Sequence, residues 1–156
     1  MGVTGSGKTT IGKLLSEKLG FAFYDADNFH PKENIEKMSA GIALNDHDRI
    51  PWLNNLQILI TENINNNKNC VLACSALKET YREILLCSHD KVKLVFLKGK
   101  EKIISERLSS RKNHFMNPNL LKSQFNTLQE PTNSITVDVE NSPEEIAEYL
   151  AKVVLL

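Results

Sequence analysis

The segment Gly2-Val3-Thr4-Gly5-Ser6-Gly7-Lys8-Thr9 constrains this chain more than any other. It is a complete GxxxxGK[ST] pattern that runs straight into helical spacing, with Ile11, Leu14, Leu15 and Leu19 on one face. Glycines let successive backbone N–H groups turn toward one point, and the helix N-terminus adds its dipole, so the segment predicts a cradle for a phosphate chain. Nucleotide binding is therefore expected at Gly2, Val3, Thr4, Gly5, Ser6, Gly7, Lys8, Thr9 and Thr10, with Lys8 on the β- and γ-phosphates and the Thr9 hydroxyl on Mg²⁺. The overlapping MGVTGS fits a myristoylation signal, but the longer pattern accounts for the same glycines. A loop of this kind follows a central buried strand, and only Met1 stands before Gly2. Losing such a strand would cost more than the 5–15 kcal/mol or so that holds a domain together. The expectation is therefore either that a later segment fills the slot or, in preference, that the chain lacks its first strand and is truncated relative to a longer natural one.

Lys+Arg and Asp+Glu each number 19, which gives zero net charge and argues against nucleic acid as the main partner. The apolar runs are too short to span a bilayer and no secretion signal opens the chain, so no membrane partner and a cytoplasmic location are expected. Cys70, Cys74 and Cys87 lack zinc-ligand spacing and read as reduced thiols.

Strand and helix signals alternate along the chain. Strands are predicted at 21–24, 70–74, 93–97 and 134–139. Helices are predicted from Lys8 to Gly20, over 32–39, from Pro51 to about 64, and over 78–86, 101–111 and 120–128. Ser142-Pro143-Glu144-Glu145 starts a last helix with a hydroxyl cap, a first-turn proline and acids at the positive dipole end. The alternation predicts one α/β domain over 1–156, three layers deep, with a parallel sheet.

Asp25 and Asp27 fall just past the 21–24 strand, at the sheet end where ligands bind. Two carboxylates at this spacing can share a Mg²⁺ shell and an acceptor hydroxyl, or they can cap a turn. Arg49, Lys78 and Arg82 are candidates for a cationic pocket suited to a carboxylate if they converge, and surface cations if they do not.

The blocks GVTGSGKTTIG, FYDADNFHP, NIEKMSAGIALNDHDRIPWL, CSALKETYRE and HFMNPNLLKSQFNTLQEP, in that order, resemble the gluconokinase family. The resemblance runs from Gly2 to about Pro131 and is carried mainly by DADNFHP, LND-x-DR-x-PWL and HFM…LL-x-SQF. It implies a P-loop kinase fold similar to shikimate kinase, with a helical lid at about 107–128 and a homodimer. It implies ATP and Mg²⁺ as cofactors and D-gluconate as the small-molecule substrate. Catalysis would fall to Lys8, Asp27 and Arg111, with Asp27 orienting or deprotonating the attacking hydroxyl. Arg107 and Arg111 would serve ATP and the transferred phosphate; Arg107 could equally be a plain helix-face cation. Asp27, Arg49, Lys78, Arg82 and His114 would bind the sugar acid, and Thr9 and Asp25 would hold the metal. Ala43 and Asn117 depart from prolines common in the family, away from this chemistry. The alternatives are another small-molecule kinase, or a nucleotide-binding relative without kinase activity.

Overall fold

The computed structural model describes residues 1–86, 90–110 and 118–156. The elements in chain order are α1 (Lys8–Leu19), β1 (Ala22–Asp25), a 3₁₀ turn (Ala26–Phe29), α2 (Lys32–Ser39), α3 (Asp46–Asn65), β2 (Cys70–Ala73), α4 (Glu79–Leu86), β3 (Val95–Lys98), α5 (Glu101–Ser109), α6 (Pro118–Thr127), β4 (Ile135–Asp138) and α7 (Pro143–Val153). Apart from the 3₁₀ turn, which is not among the predicted elements, the strands and α-helices lie where spacing and caps predict them to within a few residues. The exception is α3, which begins at Asp46 rather than at Pro51. Asn45 and Asp48 form a capping box that starts the helix earlier: the Asp48 N–H donates to Asn45 Oδ1 at 2.8 Å and the Asn45 N–H donates to Asp48 Oδ2 at 3.1 Å. With two first-turn donors satisfied, the helix nucleates ahead of the proline and runs through it.

Among the described residues all strand pairing is parallel, in two ladders. β1 pairs with β2, Ala22 opposite Cys70, and β3 pairs with β4, Val95 opposite Ile135. Between β2 and β3 sit Met1 and Gly2. The Met1 ammonium donates to Val95 O, the Leu97 N–H donates to Met1 O at 2.9 Å, and the Gly2 N–H donates to Ser75 O at 3.2 Å. Among the described residues no other segment bridges the two ladders, so the position expected for a strand ahead of the loop is held by these two residues.

Apolar side chains gather on both sides of the strands, which makes the three layers. One core joins Ile11 and Leu15 of α1, Ile104 and Leu108 of α5, Leu121 of α6, Val137 and Val139 at β4, and Ile146 and Leu150 of α7. The other joins Trp52, Leu53, Leu56 and Ile60 of α3 to Cys74, Tyr81 and Leu85. At roughly 1.5–3 kcal/mol for each fully buried large apolar side chain, these two cores hold the helices against the sheet. The carboxyl ends of β1, β2 and β3 open on the same side as the phosphate loop, where Asp25, Ser75 and Lys98 lead out of their strands.

Candidate active site

The phosphate loop is shaped by close approach. Gly2 has φ 152°, and a Cβ there would lie 2.9 Å from the Leu97 carbonyl oxygen and 2.7 Å from Ser6 Oγ. Gly5 has φ 77°, and its Cβ would lie 2.7–2.9 Å from the Leu108 side chain. Any side chain at either position would push the loop off β3 or α5. Gly7 precedes α1 in the left-handed region, and the Ile11 N–H returns to Gly7 O at 2.8 Å, closing the first helical turn. Ser6 Oγ is fully buried and has no hydrogen-bond partner among the described residues, so the loop floor keeps one unspent polar group.

Lys8 folds back over this loop, its ammonium donating to Val3 O at 2.9 Å. Burial pushes its pKa below the usual lysine value, against the opposing pull of the Asp27 and Asp25 carboxylates. Thr9 Oγ1 donates to Asp25 Oδ2 at 3.0 Å, while Asp25 Oδ1 accepts the Asp27 N–H at 3.1 Å. Asp25 thus caps the 3₁₀ turn with one oxygen and accepts from Thr9 with the other. Asp27 is exposed beside an open cavity of about 540 Å³ that Thr9, Lys13, Tyr24, Asp25 and Asn28 also line. A hydroxyl and a carboxylate oxygen converging at the mouth of a phosphate loop form a hard-oxygen donor pair that suits Mg²⁺, which keeps its remaining positions for phosphate and water.

The starts of α3 and α4 bring a cationic group together. Lys78 Nζ donates to both Asp46 carboxylate oxygens at 2.8 Å, and the Tyr81 hydroxyl donates to Asp46 Oδ1. Those bonds hold the Asp46 carboxyl below its usual value, with Lys78 the larger cause. Arg49 and Lys78 both lie over the Tyr81 ring, 6.0 and 5.6 Å from its centroid. Two of the three expected cations therefore meet, with Tyr81 as a shared floor. The third lies differently: Arg82 is buried, and its Nη1 donates to Ala76 O and Leu77 O at 3.0 Å each. Ala76 has φ 44°, a strained value for a residue with a Cβ, and Arg82 braces that turn from inside.

Arg107 sits half-buried in the last turn of α5. Arg111 and His114 lie outside the described residues, as does Cys87. Burial pushes the Cys74 thiol up to about 11, which leaves it protonated and inert at neutral pH.

The structure adds residues that motif spacing alone did not single out. Tyr81 was visible only as part of SALKETYRE. His30 stacks on Trp52, and Asn34 joins both His30 and the Asp48 carbonyl, so the NFHP and PWL words are one contact. Gln124 of α6 reaches the phosphate loop, where its Oε1 accepts the Thr4 N–H at 2.6 Å.

A phosphate loop on parallel strands, a Thr–Asp oxygen pair and a carboxylate facing an open cavity define a P-loop kinase. The shikimate kinase family model matches residues 4–155. A probable gluconokinase from Dictyostelium discoideum is 48% identical, over 96% of this chain and 82% of its own length. The thermoresistant gluconokinase of Escherichia coli K12 is 39% identical, over 99% of this chain and 90% of its own. The crystal structure of a gluconokinase from Sinorhizobium meliloti 1021 superposes with a TM-score of 0.85 at 40% identity, covering 99% of this chain and 89% of that one. The chain belongs to the shikimate kinase family of P-loop kinases, and within that class to the gluconokinase family.

Proposed function

We propose that this protein transfers the γ-phosphoryl group of ATP to D-gluconate, giving 6-phospho-D-gluconate. The observation that carries this reading is the presence of a phosphate cradle, with Asp27 beside an open cavity, and of a separate cationic group, Arg49 and Lys78 around Tyr81. The gluconokinases that align with nearly the full chain support the choice of acid.

In this mechanism the loop amides and Lys8 bind the phosphates. The sugar-acid carboxylate lies against Arg49 and Lys78, which turns the far hydroxyl toward Asp27. That hydroxyl oxygen attacks the γ-phosphorus, the bond to the β–γ bridging oxygen breaks, and the hydroxyl proton passes to the Asp27 carboxylate. Positioning and charge neutralisation supply most of the acceleration. Thr9 and Asp25 would hold Mg²⁺, whose chemistry is to neutralise charge on the phosphate oxygens. Arg107 and Arg111 add positive charge from a lid over about 107–128 whose α6 part is anchored in the core through Leu121, and His114 binds the acid. Arg82, spent on two carbonyls, acts on the acid through the turn it braces. The protein works as a single domain over 1–156, as a cytoplasmic homodimer, with no nucleic-acid or membrane partner. The exposed Ile35, Met38 and Ile42 at α2, with Ile50 of α3, support a face for a second copy.

The test is ADP release with gluconate, shikimate, nucleoside monophosphates and water as acceptors, for the wild type and Asp27→Asn. Release that depends on gluconate, with kcat lowered about 10²–10⁴-fold in Asp27→Asn and ATP affinity within about twofold of wild type, is expected. Equal release with every acceptor, or unchanged turnover in the variant, contradicts the proposal.

A further inference from the structure

α6 touches both halves of the site through two glutamine side chains that the chemistry above does not use. Gln124 Oε1 accepts the Thr4 N–H in the phosphate loop at 2.6 Å. Gln129, just past the end of α6, accepts the Glu79 N–H on its own Oε1 at 2.6 Å, and its backbone N–H donates to Leu77 O at 2.9 Å. Glu79 opens α4, so Gln129 grips the residue next to Lys78 and the helix that carries Tyr81. Between these two grips Phe125 and Leu128, and one turn ahead of them Leu121, pack into the same core as Val3 and Leu77. One short stretch of chain is thus fastened to the donor side at one end and to the acid side at the other.

We propose that Gln124 and Gln129 are positioning residues for phosphoryl transfer. Gln124 sets the phosphate loop, Gln129 sets the start of α4, and α6 between them fixes the separation of donor and acceptor. The physical basis is the direction of the grips. Both glutamines accept from backbone N–H groups, one in the cradle that meets phosphate and one in the first turn of the helix beside Lys78. Each amide bond orients a peptide plane, and a plane in a phosphate cradle has to be aimed before the ligand arrives. The apolar anchors make the strap stiff, so the two settings are not independent of α6. This inference rests on the gluconate-kinase reading for its acid-side half only.

The experiment compares Gln124→Met and Gln129→Met, which keep the side-chain length and remove the amide group, and at position 124 keep helix propensity as well. Equilibrium binding of a non-hydrolysable ATP analogue is measured by calorimetry, KM for gluconate by steady-state kinetics, and melting temperature for both. Gln124→Met is expected to bind the analogue about tenfold more weakly with KM for gluconate within about twofold, since one hydrogen bond is worth about that factor. Gln129→Met is expected to do the reverse. A general loss of stability would move both quantities alike in both variants, so the split is the signature. Both parameters moving together, or neither moving, overturns the proposal. If the wild type shows no gluconate-dependent turnover the functional reading fails, while analogue binding by Gln124→Met still decides the donor-side grip.

Discussion

His30 stacks on the indole of Trp52 with ring centroids 4.4 Å apart and planes 12° apart, and Trp52 Nε1 donates to Ala26 O at 2.7 Å. The Asn34 amide nitrogen donates to the Asp48 carbonyl at 2.9 Å and meets His30 Nδ1 at 3.3 Å, so Nδ1 accepts and the ring proton lies on Nε2. Burial lowers the pKa of His30 below its usual value; Asp27 opposes this and Arg49 reinforces it. A histidine whose folded pKa is depressed stabilises the fold fully above its unfolded value of about 6.5, and that contribution drains away as pH falls through the folded value. The melting temperature of the wild type should therefore drop as pH falls below about 6.5 by more than that of His30→Gln. Parallel pH profiles for the two proteins would show that the stack does not depend on ring charge. Asp27 and Asp25 were legible from their place after a strand. The stack was not, because nothing in the spacing of NFHP and PWL says that two distant aromatic words touch.

At the scale of elements, helix starts do most of the positioning. α3 and α7 both begin with a full capping box, Asn45 with Asp48 and Ser142 with Glu145. Breaking either cap should cost about 1 kcal/mol of stability. They differ in what stands nearby. The first turn of α3 carries Asp46 and Asp48, with Arg49 next along the chain, and Asp48 also pairs with Lys37 at 2.6 Å. α7 packs on α1 and carries none of the proposed site residues. Asn45→Ala should therefore lower stability and raise KM for gluconate, whereas Ser142→Ala should lower stability alone. Urea unfolding with steady-state kinetics on both variants separates the cases, and an unchanged KM in Asn45→Ala would mean that the cap does not steer Arg49. The Ser142 start was plain in the sequence because hydroxyl, proline and acids stand together. The Asn45 start was hidden by Pro51, a stronger local signal that the reciprocal side-chain bonds of Asn45 and Asp48 outweigh. Arg82 shows the limit from the other direction. A cation four residues from Lys78 on a helix predicts a shared face, yet one of the two cations turned inward to brace Ala76.

For the whole molecule, the gap between the two ladders concentrates the remaining electrostatic cost. The Met1 ammonium is buried there, bonded to Val95 O, and its pKa is lowered to about 5, first by burial and then by the Lys8 charge. A depressed amine stabilises the fold fully above the unfolded value of 8.0 and loses that contribution as pH falls through about 5. A fall of that size corresponds to roughly 4 kcal/mol across the window, and part of it is already spent at neutral pH. Replacing the ammonium with a peptide N–H would keep the bond to Val95 O and remove the charge. Four β-branched residues placed before Met1 would also extend the pairing between β2 and β3 and bury apolar area against both cores. Such an extended chain should be more stable than the chain beginning at Met1 by about 2 kcal/mol or more at pH 7, and should melt at higher temperature. Its stability should also lose the decline between pH 8 and about 5 that the free ammonium imposes, leaving the His30 decline below about 6.5 and that of the paired carboxylates at lower pH. A chain prefixed instead with Gly-Ser-Gly-Ser removes the same charge without strand propensity or apolar burial, so it should recover the pH behaviour and little of the added stability. Equal melting of both extended chains would mean that the ammonium alone, and not the unfilled ladder, limits the fold. A steep decline between pH 8 and 6 in either one would show that the buried amine is not its source.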